Sequence, residues 1–250
     1  MTVSNEEELE GLKTIGAIVA NTLEAMRKAV EPGMTTAELD AMGRKLLESA
    51  GAQPAPELTY GFPGATCISI NAEVAHGIPG PRRIAAGDLV NIDVSAEKDG
   101  YFADTGASFP VPPVKPRIER LCRDGRRAMW VGLKQVGAGR PFAGIGDAIG
   151  AFAKKNGYSL VRNLSSHGVG RGLHDEPHEI ATWPDRGERR RMHEGLVFTV
   201  EPFLSLGAEW AEDDGRDPWT LYSVPNAPTV QYEHTVVATR NGPLVLTLPG

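Results

Sequence analysis

The sequence predicts an α+β fold in which helices pack on a mostly antiparallel β-sheet. Two observations support this prediction. Apolar residues recur every three or four positions in two segments near the start of the 250-residue chain and in two segments near its middle. Shorter runs rich in β-branched and apolar residues lie between and after these segments. The order is helix, helix, strands, helix, helix, strands, so both halves follow one plan.

The helical segments show ordinary start and stop signals. The apolar stripe of the first helix consists of Leu9, Leu12, Ile15, Val19, Leu23 and Met26. Thr35 and Glu38 have the spacing of a capping box at the start of the second helix. The predicted helices are Glu6 to Val30, a second that begins after Thr35 and ends at Gly51, and two near Pro116 to Gln135 and Ile145 to Asn156.

Five runs are predicted as strands. They are Cys67 to Asn71, Leu89 to Ser95, Tyr101 to Val111, Leu196 to Pro202 and Thr229 to Thr239. No close repeat or low-complexity linker separates the two halves. We therefore expect one catalytic domain over residues 1–250.

The composition is that of an ordinary globular protein, with 41% hydrophobic and 23% charged residues. No apolar run approaches the roughly 18 residues of a membrane span, and the acidic first ten residues lack the pattern of a secretory signal. We expect a cytoplasmic protein. The net charge of -6 gives no general attraction to nucleic acid or to an anionic membrane. Cys67 and Cys122 form no CxxC pair, which predicts two reduced thiols. For the cluster Arg186, Arg189, Arg190 and Arg191, a solvated loop is expected rather than an RNA site.

Asp93 is predicted to lie in the middle of a strand, an unusual place for a carboxylate. Apolar and polar residues alternate along 89–95, which puts Asp93 on the polar face. Asp99-Gly100 is a strong signal for a two-residue hairpin turn, and this turn fixes the register of the two strands that it joins. Asp93 and Asp104 then share one face as diagonal neighbours. Two carboxylates so placed repel each other unless a proton or a cation lies between them.

The second half repeats this pattern. Glu201 shares a predicted strand face with Thr199, and Glu233 shares one with Gln231 and Thr235. A single acid in a strand is most simply an exposed residue, but four such acids favour a shared cation. Several carboxylates with an imidazole suit Mn, Fe, Co or Zn, and bridging carboxylates suit a pair of ions.

The expected source of the imidazole is the glycine-rich segment 166–174, which contains His167 and His174. Its glycines allow close backbone approach and place both histidines on a loop or a strand edge rather than a helix. The glycines lack the GxGxxG spacing of a nucleotide-binding loop. The absence of GxSxG and HExxH motifs argues against a serine hydrolase and a helix-borne zinc protease.

Together these residues resemble the type I methionine aminopeptidases of the bacterial type, which have the pita-bread fold. The resemblance covers nearly the whole chain and is specific in order and spacing. It rests on the segments Ala75-His76-Gly77-Ile78-Pro79, Asn91-Ile92-Asp93-Val94, Ala103-Asp104-Thr105, His167 to Glu176-Pro177, Phe198-Thr199-Val200-Glu201-Pro202 and Gln231-Tyr232-Glu233-His234-Thr235.

The resemblance implies pseudo-twofold halves, a curved antiparallel sheet with helices on its outer face, and removal of amino-terminal methionine from nascent chains. It implies a water shared by two divalent ions, and a small second residue in the substrate. The implied metal ligands are Asp93, Asp104, His167, Glu201 and Glu233. The implied catalytic residues are His76, His174 and Glu201, and the implied substrate contacts are His76, His174, Phe62, Cys67, Trp219 and Tyr60. A monomer that meets its substrate near the ribosome, without membrane contact or nucleic-acid sequence recognition, is also expected.

Two residues depart from the family pattern. Ser166 replaces the usual glycine before the metal histidine, and Ala75 replaces a cysteine common in bacterial members. Structural or surface roles are expected for His178, His193 and His234. The alternatives are an X-Pro aminopeptidase or prolidase, which usually carries an additional amino-terminal domain, and a non-catalytic relative, which typically loses metal ligands.

Overall fold

The computed structural model describes residues 1–250 and contains five helices and fifteen strands. The helices are α1 (Glu6–Ala29), α2 (Thr36–Ser49), α3 (Ala55–Tyr60), α4 (Pro116–Leu133) and α5 (Ala143–Asn156). The strands are β1 (Gln53–Pro54), β2 (Cys67–Ile70), β3 (Glu73–Ala75), β4 (Leu89–Lys98), β5 (Tyr101–Pro110), β6 (Ser159–Leu160), β7 (Ser166–Gly168), β8 (Asp175–Ile180), β9 (Val197–Val200), β10 (Phe203–Ser205), β11 (Trp210–Glu212), β12 (Leu221–Val224), β13 (Thr229–Gln231), β14 (His234–Thr239) and β15 (Gly242–Val245).

All four long helices predicted from the sequence are present. The Asn5 side chain caps α1 by accepting the Glu8 N–H at 2.9 Å. Acidic residues occupy the first turn of this helix and basic residues its last turn, which complements the helix dipole. The predicted capping box of α2 is confirmed, because the Glu38 N–H donates to Thr35 Oγ1 at 3.1 Å while the Thr35 N–H donates to Glu38 Oε2 at 2.8 Å.

The strands form four sheets in which every pair is antiparallel. One sheet has the order β1-β4-β2, with β5 also paired to β4, and a five-stranded sheet has the order β15-β14-β9-β7-β8. Two three-stranded sheets are ordered β13-β10-β6 and β11-β12-β3. This arrangement confirms the predicted α+β class.

The β4–β5 hairpin has the predicted register. Asp99 and Gly100 both have positive φ, 53° and 79°, as a tight two-residue turn between right-twisted strands requires. Asp93 pairs with Gly106, and Asp104 pairs with Ser95. The two carboxylates therefore lie on one face of the hairpin as diagonal neighbours.

The opposite face of this hairpin packs against α1. Val90, Ile92 and Val94 are fully buried in a core that includes Leu12 and Ile15 of α1. Complete burial of each such side chain stabilises the fold by roughly 1.5–3 kcal/mol. This core fixes the height at which Asp93 projects from the other face.

A second core repeats the plan in the other half of the chain. Leu121 and Met129 of α4 and Ile145 of α5 pack on Phe198 and other residues of β9, β10, β13 and β14. Each half thus has two long helices followed by its own strands. No helix of the chain combines the length and apolarity needed to cross a membrane.

The two halves meet along the free edge of β5. In a two-residue hairpin the residues Asp104, Gly106 and Ser108 point their backbone groups away from β4. Thr235 Oγ1 accepts the Asp104 N–H at 2.9 Å and donates to the Asp104 carbonyl at 2.7 Å. The Glu233 N–H donates to the Gly106 carbonyl at 2.9 Å. The backbone groups along this edge of β5 therefore form hydrogen bonds with the segment 231–235 rather than with a regular strand.

This docking corrects one detail of the sequence prediction. Glu201 and Glu233 do not lie in the middle of strands. Glu201 follows the last residue of β9, and Glu233 lies in the gap between β13 and β14. The predicted strand 229–239 is interrupted because the Glu233 N–H leaves its own ladder to bond to β5.

Candidate active site

A cavity of about 420 Å³ opens beside the polar face of the β4–β5 hairpin. Its lining includes four of the five predicted metal ligands, both predicted catalytic histidines and all four predicted pocket residues: Asp93, Asp104, His167, Glu201, His76, His174, Tyr60, Phe62, Cys67 and Trp219. The fifth predicted ligand, Glu233, lies next to Asp104 and His167. The fold thus brings together residues that are far apart in the chain.

The tightest group of potential ligands consists of Asp104, His167 and Glu233, whose ligand atoms all lie within 4.8 Å of one another. Glu201 joins them through Oε1, which is 3.4 Å from His167 Nε2. Asp104 Oδ2 is 3.9 Å from the same nitrogen. Asp93 faces the same cavity from the neighbouring strand position.

These donors fit a cation. Asp104 Oδ1 and Glu233 Oε1 are buried and have no hydrogen-bond partner among the protein groups, although buried polar atoms are normally paired. Burial raises the pKa of Asp104 to about 6. Burial and, next, the charge of Asp104 raise the pKa values of Glu201 and Glu233 well above the usual range. Divalent cations would remove this repulsion, and three to five carboxylate and imidazole donors suit a transition metal.

His167 is held in its neutral form. It lies on β7, and its Nδ1 is 3.0 Å from the Gly168 carbonyl oxygen, so Nδ1 carries the proton that is donated. Burial lowers the pKa of His167 to about 3. The unprotonated Nε2 therefore points at the carboxylates, which is the tautomer that metal binding requires.

Glu201 is positioned by two hydroxyl groups. Thr199 Oγ1 donates to Glu201 Oε1 at 2.8 Å. The Glu201 backbone N–H donates to Ser166 Oγ at 2.9 Å, and Ser166 is completely buried. The serine that departs from the family pattern thus directly supports a predicted ligand.

Glu233 is positioned by an amide network behind the site. Gln231 Nε2 donates to Glu233 Oε2 at 2.9 Å, and Asn91 Nδ2 donates to Gln231 Oε1 at 2.9 Å. Asn91 also donates to Ser108 Oγ at 3.1 Å. A Cβ at Gly106 would overlap the Gln231 amide, so a glycine is needed there for this close approach. The network fixes one oxygen of Glu233 and leaves the other free.

His174 lies in the loop before β8, and its ring stacks near His167 with 4.1 Å between the ring centroids. Tyr60 Oη is 2.6 Å from His174 Nδ1. Burial lowers the pKa of His174 to about 4, so the ring is neutral near pH 7. A phenol normally donates, and this bond then places the remaining ring proton on Nε2. His76 follows β3 with φ 55° and lines the same cavity.

An aromatic corner closes the apolar part of the cavity. Phe62 and Trp219 contact each other edge to face, with ring centroids 5.4 Å apart. Cys67 lies in β2 directly opposite Asp93. Both cysteines of the chain are buried free thiols, as predicted. A flexible unbranched side chain fits such a corner, because thioethers pack favourably on aromatic edges.

Sequence reasoning missed several residues of this site. Leu164, Leu173 and Phe203 also line the cavity, but no motif marks them. The exposed His178 lies at the cavity rim and pairs with Glu176 at 3.2 Å. Of the other two histidines, His193 is exposed, and His234 contacts Thr247 and Trp130.

Comparison with known proteins agrees with this geometry. A profile of metallopeptidase family M24 matches residues 10–240. The chain belongs to metallopeptidase family M24. Methionine aminopeptidase 2 of Bacillus subtilis is 44% identical over 248 residues, which cover 99% of both chains. The M24 assignment also agrees with the orphaned carboxylate oxygens, because family members are metallopeptidases.

Solved structures show the same fold. The crystal structure of methionine aminopeptidase from Rickettsia prowazekii superposes with a TM-score of 0.94 at 35% identity, covering 99% of this chain and 100% of that one. The prolidase from Pyrococcus horikoshii superposes with a TM-score of 0.80 at 22% identity, and the match spans 64% of its chain. That second likeness shows the fold alone. The M24 chain described here has the pita-bread fold predicted from its sequence.

Proposed function

We propose that this M24 chain is a methionine aminopeptidase that hydrolyses the first peptide bond after an amino-terminal methionine. One observation carries the proposal. Buried carboxylate oxygens without partners converge with neutral His167 beside a cavity whose lining also includes the Phe62–Trp219 corner. Relatives that cover the full chain, such as the one from Bacillus subtilis, carry the name methionine aminopeptidase.

The residues fit two divalent ions. Asp93, Asp104, Glu201, Glu233 and His167 would hold them, and Mn, Fe, Co and Zn all suit these donors. Such ions, when bound, supply Lewis-acid activation of water at near-neutral pH.

Glu201 is the proposed proton acceptor. Its carboxylate lies beside the His167 imidazole at the cavity, and only one of its oxygens accepts from Thr199. Burial in the protein raises its pKa, which favours proton uptake during the reaction. The proton can then pass to the leaving amide nitrogen.

His174 and His76 are the proposed substrate contacts. The neutral His174 donates from Nε2 to the carbonyl oxygen as negative charge develops there, while Tyr60 holds Nδ1. His76, which lines the same cavity, contacts the amide of the scissile bond. The methionine side chain lies against Phe62, Cys67 and Trp219, and its free amino group then lies on the carboxylate side of the same cavity.

His76 and His174 both line the cavity, and we expect the space beside them to favour a small second residue. A large side chain there would displace the carbonyl, and a misplacement of about 1 Å costs on the order of 100-fold in rate. We further propose that the enzyme is a cytoplasmic monomer with one catalytic domain over residues 1–250, and that it acts on nascent chains near the ribosome. The resemblance to the type I family supports these points.

The test uses protein stripped by a chelator and reconstituted separately with each ion. Met-Ala-Ser should be cleaved about 100-fold faster than Met-Lys-Ser, judged by kcat/KM. The variant Asp104→Asn should lose hydrolysis and metal binding, whereas Asp147→Asn, at an exposed position on α5, should retain both. Equal rates for the two peptides would refute the specificity, and preferred cleavage of an X-Pro peptide would favour the prolidase alternative.

A further inference from the structure

The exposed side of α4 is strongly basic. Arg120, Arg123, Arg127, Trp130 and Lys134 follow one another at intervals of three or four residues, so they lie on one face. Arg126 borders this face, and all five basic side chains are exposed. From Arg120 to Lys134 the basic face extends about 21 Å along the helix axis.

Few carboxylates neutralise this face. Between Lys115 and Lys134 the chain has seven basic residues and only two acidic ones, Glu119 and Asp124, although the whole protein carries a net charge of -6. Buried Asp124 is shared by Arg120, Arg123 and Arg127 at 3.3 to 3.5 Å. Arg126 and Lys134 have no carboxylate within 4.0 Å. The local excess of positive charge is therefore opposite in sign to that of the molecule.

A groove runs between this face and α1. Its volume is about 1080 Å³, and its lining includes Arg27, Arg123, Arg126, Arg127 and Lys134. Trp130 and Tyr232 also line it. Two acidic residues line the groove. Glu24 pairs with Arg27 and Lys28, and the carboxylate of Glu233 belongs to the candidate metal centre. The groove thus combines cations from two helices with aromatic rings.

We propose that the α4 groove, defined by Arg27, Arg123, Arg126, Arg127, Trp130 and Lys134, binds single-stranded RNA through its phosphodiester backbone. Charge complementarity selects this occupant. A small anion would neutralise one or two of these cations, whereas evenly spaced phosphates can contact cations along the whole face. The partly exposed Trp130 offers a surface on which a base can stack. The net negative charge of the remaining surface would orient the protein with α4 towards the RNA.

The binding test uses the full chain and a fluorescein-labelled oligouridine of about 16 nucleotides, a length within the range of single-strand binding sites. The groove has five cations, Arg27, Arg123, Arg126, Arg127 and Lys134. Subtracting the one charge of Asp124 leaves about four to contact phosphates. A single strand then gives a slope of log K against log salt of about -3, or a loss of about 50-fold between about 50 and 200 mM salt. Fluorescence anisotropy measures both quantities.

The variant Arg126→Glu/Lys134→Glu reverses two charges that make no ion pair, so it should leave the fold intact. We expect it to weaken RNA binding at least about tenfold at low salt and to reduce the slope by about 1.4. The control is Arg186→Glu/Arg189→Glu, which makes the same change in net charge at exposed positions of a distant loop. It should bind like the unaltered protein.

Three results would overturn the proposal. These are no RNA binding at low salt, equal loss in both double variants, and binding of phosphatidylserine vesicles in preference to the oligonucleotide. Cleavage of Met-Ala-Ser by both double variants at the unaltered rate is expected, because neither pair touches the catalytic cavity. RNA binding is measured without peptide, so its failure is distinguishable from failure of the proposed peptidase activity.

Discussion

Thr235 supports the candidate metal centre from the second half of the chain, and the substitution Thr235→Val tests that support. Thr235 is completely buried, and its hydroxyl satisfies both the N–H and the carbonyl of Asp104 at 2.9 and 2.7 Å. Valine has nearly the same shape but cannot make either bond. The change therefore leaves two backbone groups of a buried residue without partners.

The expected cost follows from these two groups. Each unsatisfied buried backbone group lowers the free energy of unfolding by about 1–3 kcal/mol. Because the segment can partly relax, we expect a total loss of about 3 kcal/mol. For a chain of this length, that lowers Tm by about 6–12 °C. Because Asp104 would also shift, the affinity for Mn or Co should fall at least about tenfold.

The assay is thermal unfolding of chelator-treated protein, followed by calorimetric titration with the metal. The matched control is Thr182→Val, since Thr182 is also completely buried but its hydroxyl has no hydrogen-bond partner. Removing an unpaired hydroxyl should leave stability unchanged or slightly increased. A Tm loss for Thr235→Val no greater than that for Thr182→Val would refute the role assigned to these bonds.

Three further predictions concern single side chains. Ser166→Ala should weaken metal binding about tenfold in calorimetry, because the Glu201 N–H loses its acceptor; unchanged affinity would contradict this support. Tyr60→Phe should lower kcat more than it raises KM, because His174 loses the bond that fixes its tautomer; a pure KM effect would show that Tyr60 only contacts substrate. In chelator-treated protein, the free energy of unfolding of the unaltered chain should fall relative to that of Asp104→Asn as the pH rises from about 4 to about 6. Its folded pKa of about 6 exceeds the unfolded value of about 4, so the folded state retains a proton that the unfolded state releases; parallel stability curves would exclude this.

The sequence was most informative where local signals act. The Asp99-Gly100 turn set the whole β4–β5 register, because a two-residue hairpin allows one pairing. The capping box and apolar periodicity similarly placed the long helices within a few residues of their observed ends. Such features depend on neighbouring residues and need no knowledge of the fold.

Contacts between residues far apart in the chain could not be predicted from local sequence patterns. Strands of two or three residues, such as β6 and β10, are too short to show an alternating pattern. The alternation of its neighbours predicts Glu233 in mid-strand, yet its N–H donates to the Gly106 carbonyl in the other half of the chain. The hydrogen bond between Tyr60 and His174 likewise joins residues 114 positions apart, and no sequence motif predicts it.

The free edge of β5 has a consequence for how the chain must fold. An edge strand with unpaired N–H and carbonyl groups is a template for pairing with other chains. Before the segment 231–235 is in place, a folded first half exposes the backbone groups of this edge at Asp104, Gly106 and Ser108. Since about 120 residues separate β5 from that segment, the first half stays vulnerable to aggregation while those residues are synthesised. The residues that support Asp104 and Glu233 in the finished enzyme thus also protect the protein from self-association.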